Sequence, residues 1–173
     1  MIDLNYLTVL ATGTIIALTA LPVLAEADQA ASKVKVTCDR QSSVPTVVAT
    51  LSNQGASQVT PILSFLPQYF SPQDALSNCT ATANKLDIFY SQDRMNYLAS
   101  DTISENPVVC AVERRGLGCD SYNSEILFSL ARPVSPSELL YDMLGSDFKS
   151  SQAPSSRTIS RIYTDLRPLW WPF

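Results

Sequence analysis

Residues 4–25 carry no charge, and Leu7, Val9, Leu10, Ile15, Ile16, Leu18, Leu21 and Leu24 make up their apolar body. Val23 and Ala25 give a small-residue cleavage pattern, and Ala25-Glu26-Ala27 gives a second just downstream. The segment therefore reads as a signal peptide over 1–25, cut after 25 or 27, with a retained N-terminal anchor long enough to cross a bilayer as the alternative. Its n-region holds Asp3 and neither Lys nor Arg, and Thr8, Thr12, Thr14 and Thr19 lower its hydrophobicity below that of a good membrane span.

The pattern then changes to alternation. Val34, Val36 and Cys38 interleave with Lys33, Lys35 and Thr37, which predicts a half-buried strand with Cys38 facing inward. A polar loop follows over 39–45, then a returning strand over 46–50 and a turn over 52–57 that holds Asn53 and Gly55. A third strand is predicted over 62–66. Ser71-Pro72-Gln73-Asp74 supplies an N-cap hydroxyl, a proline at the first helical position and a first-turn carboxylate. From there Ala75, Leu76, Cys79, Ala83, Leu86 and Tyr90 form one stripe of a helix over 71–93, with Cys79 in its middle.

Residues 94–100 and 107–112 read as a hairpin joined through 101–106, and 125–130 as a further strand. Ser135-Pro136-Ser137-Glu138 is a capping box opening a short helix over 137–144 that carries Leu139, Leu140, Met143 and Leu144 and ends near Gly145. The predicted fold class is α+β: an antiparallel sheet of five or six strands, the long helix on one face, and the short helix at an edge or end. The domain covers 33–145, followed over 146–173 by a polar linker and the aromatic tail Leu169-Trp170-Trp171-Pro172-Phe173.

Composition narrows the chemistry. The chain has no histidine, which removes the commonest general base and metal ligand, and its 12 basic against 16 acidic residues show no basic stripe for nucleic acid. The pair Arg114-Arg115 reads as a solvated turn. Four cysteines, Cys38, Cys79, Cys110 and Cys119, all follow the leader, as expected of an exported, disulfide-stapled domain.

The order of the stretches Val36-Thr37-Cys38, Val44-Pro45-Thr46-Val47-Val48-Ala49, the Cys79 helix ending in Phe89-Tyr90, and Arg94-Met95-Asn96-Tyr97-Leu98 resembles the cyanobacterial circadian oscillating polypeptide family. Asn106-Pro107-Val108-Val109-Cys110-Ala111, Gly118-Cys119 and Leu127-Phe128-Ser129-Leu130 continue the likeness. The chain departs from that family at Asn78, where Arg is usual, and over 101–106, which lacks the usual glycines. The resemblance implies an exported, membrane-associated protein of cyanobacteria and brings no catalytic residue with it.

Four cysteines allow three pairings. Cys38–Cys79 with Cys110–Cys119 is favoured because each joins neighbouring elements. Their spacings, 40 and 8 intervening residues, match neither a zinc ribbon nor a Cys-x-x-Cys redox pair, so neither metal nor cofactor is expected. Carboxylates are the remaining acid/base candidates: Asp87 and Asp93 near the end of the long helix, and Asp101 with Glu105 in one loop. Their default role is that of solvated surface acids. Asn78-Cys79-Thr80 spells a glycosylation sequon on a helical face turned to the core.

Trp170, Trp171 and Phe173 are the best interaction candidates, either folded back on the domain or inserted at a membrane interface or partner, with Arg161 and Arg167 as weak headgroup contacts. The expected function is a non-catalytic exported protein of the periplasm or thylakoid lumen, peripheral to a membrane or membrane complex. The alternatives are a small carboxylate-dependent hydrolase and an envelope carbohydrate-binding module using Tyr69, Tyr97 and Tyr122.

Overall fold

The structure, a computed structural model, describes residues 33–53, 56–92, 96–131, 133–149 and 161–166. The leader, Asp93, Arg167 and the tail residues Trp170, Trp171 and Phe173 lie outside these residues. The chain runs β1 (Lys33–Asp39), β2 (Thr46–Asn53), β3 (Ala56–Ser64), α1 (Pro72–Gln92), β4 (Tyr97–Ile103), β5 (Asn106–Val112), β6 (Ser124–Ser129), α2 (Pro136–Met143) and β7 (Tyr163–Asp165).

The α+β class holds, with one difference in how the strands are shared out. A single sheet of five or six strands is expected from the sequence; the described residues form two antiparallel sheets, ordered β1-β2-β3 and β6-β5-β4-β7. The reason lies at the edges of the first sheet. On β1 the outward N–H of Val36 is taken by the Asp87 carboxylate of α1, at 2.9 Å. On β3, Pro61 offers no N–H, and the neighbouring Ile62 carbonyl accepts the Gly145 N–H at 3.0 Å. The β1 edge and the Pro61–Ile62 end of the β3 edge are thereby occupied.

Helix α1 starts as its sequence directs: Ser71 Oγ accepts the Asp74 N–H at 3.2 Å and donates to the Asp74 carboxylate at 2.7 Å. Its buried face holds Ala75, Cys79, Thr82, Ala83, Leu86 and Phe89, while Leu76, placed in the stripe by spacing, is 39% exposed. Lys85 forms an ion pair with Glu125 and donates to the Ile126 carbonyl of β6. The helix thus touches an edge strand of each sheet. Ser135 caps α2 by accepting the Glu138 N–H.

Two apolar clusters result. The larger lies between the sheets and helices and contains an edge-to-face trio of Phe65, Phe70 and Phe128, with centroids 5.2–5.7 Å apart. The smaller, Ala99, Val108, Cys110, Val112 and Cys119, sits on the opposite face of the second sheet under the 113–123 connection. That sheet buries both faces, which is why Val108 to Val112 is apolar throughout.

Both expected disulfides are present, each with 5.6 Å between Cα atoms. Cys38–Cys79 fastens β1 to α1, and Cys110–Cys119 closes the connection after β5. The segment 161–166, read from sequence as part of the tail, includes β7, which pairs with β4 through Tyr97 and Asp165.

Candidate functional site

The candidate acids do not converge. Asp87 is committed to β1, where its second oxygen meets Lys35 Nζ at 2.6 Å beside the Val36 contact. Asp101 and Glu105 do not share a loop, contrary to the sequence expectation. β4 continues to Ile103, so Asp101 is a buried strand residue, and Glu105 sits with Ser104 in a two-residue turn at φ 66° and 49°. Apolar surroundings hid Asp101 from pattern reading, because it occupies an outward-facing position under the 113–123 connection. There it accepts the Cys119 N–H at 3.1 Å and pairs with Arg161 at 2.7 Å. The Asp101 carboxylate holds the Arg161 guanidinium above its ordinary pKa. These acids brace structure.

Nor do the three tyrosines form one sheet-face platform. Tyr69 donates to Asp142 at 2.6 Å; partial burial, reinforced by that hydrogen bond, pushes its hydroxyl pKa up. Tyr97 lies against the Arg115 guanidinium, and Tyr122 is fully exposed on the turn after Cys119. Among the described residues no group of three metal-ligating side chains occurs.

The described residues also form a groove of about 310 Å³ that the sequence does not single out. One wall is the β1–β2 loop, ending in Val44 and Pro45; the other is the first turn of α1 with Ala75 and Leu76, and Phe65 and Phe70 lie between them. The walls are fixed. Ser42 Oγ donates to the Val44 carbonyl at 2.6 Å, and the Phe65 N–H reaches the Pro45 carbonyl at 2.9 Å. The Cys38–Cys79 bond ties the strand leading into one wall to the helix forming the other. Pro67 and Pro72 stiffen the β3–α1 connection and withhold two backbone donors, so the lining stays apolar. Arg40 stands at the rim and reaches Thr80 Oγ1 at 3.3 Å.

The signal for this groove was in the sequence. Val44-Pro45 is an apolar pair in the predicted polar loop 39–45, and Phe65-Leu66, predicted as the end of the third strand, fall after β3 ends at Ser64.

The family model described as circadian oscillating protein COP23 matches residues 35–170. The chain belongs to that family. No curated protein and no solved structure matches it. The COP23 match takes in all four cysteines, both helices and β7, so the segment after Gly145 falls within the family region. For a COP23 member built this way, two structural disulfides indicate an oxidising, extracellular-type environment. No helix among the described residues is long and apolar enough to cross a membrane.

Proposed function

We propose that this COP23 family member is a non-catalytic exported module of the periplasm or thylakoid lumen. It works by binding, peripheral to a membrane or membrane complex. The observation that carries this reading is the braced apolar groove between Pro45 and Leu76, which offers buried-type surface at the exterior of the domain. Commitment of Asp87 and Asp101 to backbone and cationic partners favours binding over carboxylate hydrolysis. The leader and the Trp170–Trp171 tail support an exported, membrane-proximal setting.

The test is partition of the tagged full chain in its native cell. The parent is expected to sediment with membranes, and Leu76→Glu, which charges an exposed groove wall, is expected to move it to the soluble fraction with its thermal midpoint unchanged. Deleting 169–173 measures the contribution of the tail separately. A parent that partitions with soluble proteins, or a Leu76→Glu variant that sediments like the parent, overturns the reading.

A further inference from the structure

Three cations of the described residues are paired with carboxylates: Lys35 with Asp87, Lys85 with Glu125 and Arg161 with Asp101. Arg115 and Lys149 form no ion pair among the described residues, yet both line one small pocket of about 200 Å³. Each rests on an aromatic face instead. The Arg115 guanidinium lies 5.4 Å from the Tyr97 ring centroid, and Lys149 Nζ lies 5.2 Å from that of Tyr141. Lys149 also donates to the Asp142 carbonyl at 3.4 Å, a long contact. A π face holds a cation in place without using its N–H donors, so most of these remain available.

The two sides of the pocket are built. Arg115 belongs to the connection closed by Cys110–Cys119, which is fastened further by the Tyr163 hydroxyl donating to the Leu117 carbonyl at 3.0 Å. Lys149 follows the single 3-10 turn Ser146–Phe148, whose Phe148 is anchored in the core. Leu144, Phe148 and Ile162 supply apolar lining, and Asp165 is the single carboxylate in the wall, leaving one positive charge in excess. This local excess of positive charge, which attracts an anion, occurs on a chain whose formal net charge is -4.

We propose that this pocket is a binding site for a phosphate or phosphate-ester anion. Arg115 and Lys149 contact the phosphoryl oxygens, and Leu144, Phe148 and Ile162 face the carbon portion. The volume suits a headgroup or short ester and is too small for a folded peptide segment. The site is separate from the apolar groove, and the proposal does not rest on the membrane reading.

The oxidised full chain is titrated at constant ionic strength with inorganic phosphate and with glycerol 3-phosphate, followed by amide NMR. Saturable shifts are expected at Arg115, Lys149 and Ile162 to Thr164, tighter for glycerol 3-phosphate. Arg115→Gln and Lys149→Gln should each weaken binding about fivefold, and the double variant should abolish saturation. Both side chains lie at the surface, so the variants should melt like the parent. Shifts that never saturate, or a double variant that titrates like the parent, overturn the proposal.

Flotation with vesicles of phosphatidylglycerol in phosphatidylcholine separates the sources. Loss of vesicle binding in the double variant identifies a lipid headgroup as the ligand. Unchanged vesicle behaviour with lost phosphate binding identifies a soluble ester.

Discussion

Gly145 lies so close to Pro61 that a Cβ at position 145 would stand 2.0 Å from the Pro61 carbonyl oxygen. The backbone at Gly145 is ordinary, with φ at −63°, so the glycine is required by proximity and not by conformation. Its N–H bonds the Ile62 carbonyl, and Leu144 bridges Leu63, which brings the end of α2 against β3. Gly145→Ala must force this contact apart. It is expected to cost about 1–3 kcal/mol, measured by urea unfolding of the oxidised protein. A loss under about 0.5 kcal/mol, the usual range for neutral surface changes, would show that β3 does not need the contact.

Asp87 combines an ion pair with an edge cap, and two substitutions separate them. Asp87→Asn keeps an acceptor for the Val36 N–H and loses the charge attraction to Lys35, which is largely solvent-screened because the Lys35 side chain is 60% exposed. It should cost at most about 1 kcal/mol, whereas Asp87→Ala, which leaves the N–H without its acceptor, should cost about 1–3 kcal/mol. Equal losses in the two variants would assign the whole effect to the charge.

The disulfides should open in order. Cys110 and Cys119 are 0% and 3% exposed, while Cys38 is only partly buried. Under native conditions a small dithiol should reduce Cys38–Cys79 first, read by alkylation and peptide mass. Removing it should cost about 4 kcal/mol from its 41-residue separation, against about 3 kcal/mol for the 9-residue separation of Cys110–Cys119. Simultaneous labelling of all four cysteines would contradict the ordering.

Alkali should destabilise the fold through Tyr90. Its hydroxyl donates to the Leu166 carbonyl, and burial, reinforced by the Asp165 charge, raises its pKa above the ordinary 10.0. The unfolded chain then sheds a proton near pH 10 that the folded chain keeps, so stability is full below that pH and falls as pH rises. Tyr90→Phe should cost about 1 kcal/mol at pH 7 and flatten the loss above pH 10, leaving a smaller slope from Tyr69. An undiminished slope in Tyr90→Phe would place the alkaline titration elsewhere.

The β4–β5 turn holds a reserve of stability. Ser104 and Glu105 both adopt positive φ without being glycine, at the tip of a hairpin paired through Ile103 and Asn106. Replacing them with Asn-Gly, the residues such turns favour, should raise stability by about 1 kcal/mol in the same unfolding assay. No gain would mean the side chains present offset the backbone strain.

Much of this architecture was legible because local signals agreed with it. The Ser71-Pro72 start of α1, the Ser135 cap of α2 and the alternation in β1 all rest on contacts within a few residues. The pairing of Cys38 with Cys79 is legible because it joins neighbouring elements. The burial of Asp101 was not legible, since its environment is made by Cys119 and Arg161, which pattern reading along β4 does not bring near. The division into two sheets depended likewise on Asp87 and Gly145 meeting strands far away in sequence. The groove was spelled out in its residues, but its shape required the β1–β2 loop to meet the start of α1.

Helix α1 is bound to β1 by a covalent bond and a carboxylate, and to β6 through Lys85, so one flank of each sheet is closed to further strands. The opposite flanks, the Ala56 to Val59 half of β3 and the outer side of β7, carry no neighbouring strand among the described residues. Recruitment by backbone pairing is therefore polar. Among the described residues, backbone pairing with another chain is directed to these two flanks and away from the α1 side.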